Sequence, residues 1–261
     1  MSTHLLDLPA EILNQILTPL PTTSLLRFSE TSHYARSLAN ANLHTLSFGI
    51  APLNPPFFNL LDLDQSTSST TKGSYAIWLH IPTAQIVEYW TLLNFQSALV
   101  TSILKRHGAM LQHLEISVWA LTLPMVSAIA RLRALRCFSL RIERSAMGRE
   151  QRSCIAVERE EQGKAWNLLT KETPVWSRRL VALRLENCDL QVEQLAVLLK
   201  ESRGCGELGL DRCRYLDRAL WTFLAKWQGR EKLRVLDVAE CGGILGEEAR
   251  AAVGSLHGLQ V

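Results

Sequence analysis

The sequence predicts an α/β protein: an N-terminal module of three short helices, then an irregular solenoid of parallel strands backed by helices. Three observations carry this. Residues 5–40 are dense in apolar side chains but punctuated by Pro9, Pro19 and Pro21, which limits each helix to a few turns. The spacing L-x-x-L-x-L recurs from Leu111 onward. Stretches of helical periodicity, VEQLAVLLKES and ALWTFLAKW, stand between its copies.

In the module, Pro9 suits the first turn of a helix, where its missing N–H costs nothing, and Glu11 sits near the positive end of the helix dipole. Ile12, Leu13, Ile16, Leu17 and Leu20 then make one broad apolar stripe. Thr22 or Thr23 is placed to cap a second helix carrying Leu25, Leu26 and Phe28. A third helix runs through Tyr34, Arg36 and Leu38. So short a segment rarely makes a core of its own, so its stripe is expected to need a partner or the rest of the chain.

Those residues carry a resemblance. Leu8-Pro9, Glu11-Ile12-Leu13, Ile16-Leu17, Leu20-Pro21, Leu25-Leu26-Arg27 and the Thr31-Ser32-His33…Arg36-Ser37-Leu38 ending resemble an F-box in order and spacing. Ala35 stands where many F-boxes have a large side chain, and His33 where Lys or Arg is common. The resemblance implies docking on the Skp-type adaptor of Skp-cullin-F-box ubiquitin ligases and, through it, on a cullin. On that basis Leu8, Pro9, Ile12, Leu13, Ile16, Leu17, Leu20, Leu25 and Leu26 are the expected adaptor-binding residues.

After the module, set at residues 1–45, GIAPLNPPFF and QSTSSTTKGS are rich in proline and in small polar residues, so residues 46–75 are expected to be a linker and mobile loop. The domain that follows spans 76–261. IWLHI, 77–81, is a candidate irregular strand, and apolar residues between Pro82 and Gly108 recur with helical period. The middle apolar residues of the L-x-x-L-x-L copies fall at Leu114, Phe138, Leu183, Leu208, Leu236 and Leu259. Most steps are about two dozen residues, and the step from 138 to 183 is roughly twice that, which is similar to a leucine-rich repeat with one insertion. Leu43-Leu46-Phe48 is a weaker copy. Cys188, Cys213 and Cys241 follow their strands at one fixed distance, resembling the cysteine-containing class of that repeat, where a small buried thiol fills a tight turn. The charged insertion near 143–178, with Trp166, Leu168 and Leu169, is expected to form a protruding helix.

The composition excludes several functions. With 261 residues, 47% hydrophobic and 20% charged, the chain has a globular composition, and a formal charge of +3 is too mild to demand nucleic acid or a membrane surface. The most apolar window is interrupted by Glu88, Asn94 and Gln96, which a lipid-exposed span avoids. No signal-peptide pattern opens the chain and its six cysteines form no C-x-x-C pair, so reduced thiols in the cytoplasm or nucleus are expected, with no metal and no cofactor. GCGELG, 204–209, matches a dinucleotide-binding spacing, but a helix precedes it and a strand follows; Gly204 is better placed as a helix C-cap. No catalytic motif is present, and the protein is expected not to be an enzyme.

The implied function is that of a substrate-recruiting subunit of a Skp-cullin-F-box ligase, holding a client protein for ubiquitination. The alternative is an F-box/leucine-rich-repeat interaction protein that works with the adaptor outside any ligase. Between the inward leucines, Glu115, Arg184, Glu186, Asp211 and Asp237 face outward and are the candidate client-binding residues. Glu186, Asp211 and Asp237 are expected to stack into an acidic stripe. Arg131, Arg133, Arg136, Arg141, Arg144, Arg149 and Arg152 form a second charged stretch, suited to an acidic peptide, phosphate or RNA, nucleic acid being the weaker option, although such a run is most often a solvated face.

Overall fold

Pro9 and Pro21 each stand immediately before a helix, with extended ψ angles of 145° and 152°, so proline fixes the entry to α1 (Ala10–Leu17) and α2 (Thr22–Ser29). The computed structural model describes residues 5–52, 77–81, 88–143 and 152–242. Thr22 is the first residue of α2 rather than its cap, and its hydroxyl donates to the Thr45 carbonyl at 3.0 Å. α3 (His33–Asn42) has a true side-chain cap: Ser32 Oγ accepts from the Ala35 N–H at 3.0 Å. Ala35 is fully buried, so a larger residue there would have to displace its neighbours.

β1 (Thr45–Pro52), β2 (Ile77–Ile81), β3 (His113–Val118), β4 (Cys137–Ile142), β5 (Ala182–Glu186), β6 (Glu207–Asp211) and β7 (Val235–Ala239) form one parallel sheet in the order β2-β1-β3-β4-β5-β6-β7. Residues 46–52, expected to begin a linker, are therefore a strand. Alternation places Leu46, Phe48 and Ile50 in the core, and that apolar burial outweighs the composition signal of the prolines beyond. The remainder of the expected linker, the Ser/Thr run and the Leu256–Val261 copy lie outside the described residues.

Register turns the sequence pattern into two buried rows. Leu46, Leu114, Phe138, Leu183, Leu208 and Leu236 lie side by side, as do Phe48, Ile116, Leu140, Leu185, Leu210 and Val238. All but Val238, which is partly buried, belong to the buried core. Helices α4 (Tyr89–His107), α5 (Leu123–Ile129), α6 (Arg152–Leu169), α7 (Val192–Leu199) and α8 (Ala219–Lys226) supply the layer that covers those rows. α6 does not simply protrude. Its second half buries Gln162, Ala165, Trp166 and Leu169, because Trp166 and Trp176 fill the space left by the doubled step between β4 and β5.

Two indoles repeat one device. Trp176 Nε1 donates to the Ile129 carbonyl at 3.1 Å and Trp227 Nε1 to the Leu199 carbonyl at 2.9 Å, satisfying acceptors at the C-terminal ends of α5 and α7 respectively. Gly204 lies beyond α7, whose cap is Lys200, and belongs to the turn leading into β6. The cysteines make a third device. Asn187, Arg212 and Glu240 adopt positive φ of 50–56°, and the next residue in each case is a buried cysteine. Cys188, Cys213 and Cys241 donate to the carbonyls of Leu140, Leu185 and Leu210, one strand back, at 3.8, 3.5 and 3.4 Å. Each thiol thus satisfies a backbone acceptor at a tight turn.

Candidate functional site

On α1, two apolar faces lie about 100° apart around one helix. Leu13 and Leu17 are 1% and 2% exposed and pack with Leu25, Leu38 and Leu43, with Leu20 and Phe28 against them. Ile12 and Ile16 are 42% and 41% exposed, and Leu5 and Leu8 are exposed with them. Pro9 is exposed too, and Leu26 is intermediate. The expected adaptor-binding set therefore divides. Leu8, Pro9, Ile12 and Ile16 are surface, whereas Leu13, Leu17 and Leu25 are core, with Leu20 and Leu26 between. The module does build a small core of its own, because α2 and α3 close over one face of α1; the other face is left to water.

Polar contacts fix that arrangement. The buried Asn42 donates from Nδ2 to Asn14 Oδ1 at 2.9 Å and to the Leu38 carbonyl at 2.8 Å, while its Oδ1 accepts from Thr18 Oγ1 at 3.0 Å. This clamps α1 to α3. The module is joined to α4 and to the sheet as well: His107 Nδ1, at the end of α4, and Asn40 Oδ1 lie 2.6 Å apart, and the Gln112 and His113 amides donate to the His44 carbonyl. Burial, then the positive charges of Arg106 and Arg36, hold the His107 imidazole below its ordinary value.

The outward face of the sheet has a different character. One row holds Ser47, Glu115, Ser139, Arg184, Gly209 and Asp237, and the next holds Gly49, Ser117, Arg141, Glu186, Asp211 and Ala239. The expected stripe is thus broken: Asp237 shares a row with Arg184, not with Glu186 and Asp211. Nor are those two carboxylates free. Glu186 lies 3.4 Å from Arg141 Nε and is paired with Arg212, which also reaches Asp211 at 3.0 Å. Arg141 in turn contacts Glu143 at 2.6 Å. Desolvation raises the Glu186 carboxyl above its usual range despite these two guanidinium groups. Glu115 accepts from Ser47 Oγ at 2.7 Å, and Arg184 reaches Glu207 at 3.5 Å. Ser117, in the second of these rows, is fully buried and donates to Glu143 at 3.1 Å.

At the far edge, Trp78 on β2 lies across Gly49, where an added Cβ would come within 2.5 Å of the ring. This exposed aromatic was not singled out from sequence; the signal was a tryptophan directly opposite a glycine, visible only once the strands are paired. Among the described residues the arginine stretch does not form one surface. Arg131 and Arg133 lie exposed in the turn after α5, Arg141 is on the sheet, and the side chains of Arg144, Arg149 and Arg152 are outside the described residues.

Among curated proteins no match to the chain is found. The F-box domain family matches residues 5–43, the segment whose apolar stripe the molecule leaves uncovered. The helical module at the N-terminus is therefore an F-box domain.

Proposed function

We propose that this protein is the substrate-recruiting subunit of a Skp-cullin-F-box ubiquitin ligase. F-box domains generally bind Skp-type adaptors, and the observation that carries the proposal is the exposed stripe of Leu8, Pro9, Ile12 and Ile16, apolar surface that the domain's own core does not use. The remaining residues are an irregular leucine-rich-repeat solenoid on this proposal, supported by one L-x-x-L-x-L strand per unit in unbroken parallel register. The protein's contribution is proximity: it holds a client so that a lysine meets the charged ubiquitin carrier at high effective concentration, and the covalent chemistry belongs to other subunits in the cytoplasm or nucleus. The open sheet face, with Glu115, Arg184 and Asp237, is the first client surface to test.

Ile12→Asp, and separately Leu8→Ala with Pro9→Ala, are expected to abolish capture of the Skp-type adaptor while circular dichroism stays unchanged. Adaptor capture by both variants at the wild-type level overturns the proposal. The second reading, an interaction protein working with the adaptor alone, is favoured instead if the adaptor co-purifies and no cullin does.

A further inference from the structure

α4 and α5 run side by side, and the space between them opens as two adjoining clefts of about 630 and 600 Å³ that share Thr101, Lys105 and Pro124. The first has apolar walls: Leu104 and Leu132 are buried along it, with Pro124 and Ala128 on the α5 side. Gly108, at the end of α4, lets Leu132 seat against the helix, since a Cβ there would meet Leu132 at 2.5 Å. Around this apolar trough stand four cations, Lys105, Arg131 and Arg133 at the first cleft and Lys105 with Arg106 at the second. All four are exposed, no acidic residue lines either cleft, and none of the four has an ion-pair partner among the described residues. The contrast with the sheet face is direct: there Arg141, Arg184 and Arg212 are each paired with a carboxylate of this chain.

We infer that the α4/α5 groove is a second docking surface, on the helical side of the protein, for an acidic peptide segment whose apolar residues enter the trough and whose carboxylates meet Lys105, Arg106, Arg131 and Arg133. Charge complementarity selects the sign of the partner, since four uncompensated cations repel a basic segment. The apolar walls select a peptide over a bare anion, which gains nothing from burying hydrocarbon. They also select it over single-stranded nucleic acid, because among the described residues no aromatic ring lines either cleft to stack a base. That the segment belongs to a recruited client rests on the receptor function proposed above; the chemistry of the groove does not.

The test uses the full chain with its Skp-type adaptor and a fluorescein-labelled peptide carrying leucines at i, i+3 and i+7 with glutamates between, read by fluorescence anisotropy. Binding is expected, weakening as salt is raised. Lys105→Glu with Arg131→Glu is expected to weaken it by about tenfold or more, as like charges then face each other. Arg131→Glu alone, at an exposed site, gives a smaller loss and covers the case in which the double variant folds poorly. The inference is overturned if the wild-type protein does not bind this peptide, if a peptide with lysine in place of glutamate binds equally well, or if both variants bind like the wild type. It is overturned equally if inorganic phosphate displaces the peptide at low concentration, which marks a small-anion site, or if single-stranded RNA binds more tightly than the peptide. Adaptor capture is measured on the same samples: its retention alongside lost peptide binding separates this groove from the F-box interface, and its failure in the wild type counts against the receptor function alone.

Discussion

The F-box stripe and the outward face of the sheet are both open to water, yet they are unlike in what they leave unsatisfied. On α1, Ile12 and Ile16 remain about two-fifths exposed, while Leu13 and Leu17, one position on, belong to the domain's core. On the sheet, Glu186, Asp211, Arg141 and Arg212 are close together but already pair with one another. An exposed apolar group has free energy to gain from a partner, about 25 cal/mol for each Å² covered. A charge that is already paired must first break its contact, so its net gain is small. Exposure alone therefore does not mark a binding surface; an unmet interaction does.

The largest effects test which side of that division each residue occupies. Leu17→Ala and Leu208→Ala, both in buried positions, are expected to lower unfolding free energy by about 2–5 kcal/mol each in urea titrations, because each leaves a cavity. Ile16→Ala, on the neighbouring face of the same helix, is expected to shift stability by no more than about 0.5 kcal/mol while weakening adaptor capture. Equal destabilisation by Leu17→Ala and Ile16→Ala would remove the distinction between the two faces.

A smaller effect separates the charges on the sheet. Glu186→Lys puts a third cation between Arg141 and Arg212 and is expected to lower the melting temperature by a few degrees, an effect of about 1 kcal/mol. Asp237→Lys, exposed and beside Gly209, is expected to leave the melting temperature unchanged, which makes it the cleaner probe of client binding on this face. If the two variants melt alike, the Arg141–Glu186–Arg212 network contributes nothing measurable.

The smallest effect concerns the junction of the F-box with α4. His107 titrates below its ordinary value of 6.5 in the folded protein, so between that value and the folded one the unfolded chain binds more protons. Its contribution to stability is therefore present above 6.5 and lost as pH falls through this window. His107→Gln is expected to flatten the fall in melting temperature between about pH 7 and pH 5. An unaltered slope places the acid sensitivity elsewhere.

Much of this architecture was legible in the spacing of leucines. The alignment of Leu114, Phe138, Leu183, Leu208 and Leu236 is the register found between β3 and β7, and it already sets Asp237 opposite Gly209. The acidic stripe fails because residues were grouped there by charge across two different rows. The Leu8–Leu38 pattern located the F-box, since its order of prolines and apolar pairs is specific enough to be read without coordinates. The cysteine spacing located the thiols that close each turn.

What the sequence determined by itself was period: which residues of a strand share a face and where an apolar surplus lies. Period is local, because it follows from the backbone geometry of one element. Only the tertiary structure decided which face of α1 is covered, that β1 lies between β2 and β3, that Trp166 and Trp176 fill the inserted step, and that Arg141 and Arg212 meet Glu186 while Lys105 and Arg131 meet no acid among the described residues. Each of these depends on residues far apart in the chain coming into contact, and burial and charge pairing are properties of that contact rather than of any single segment.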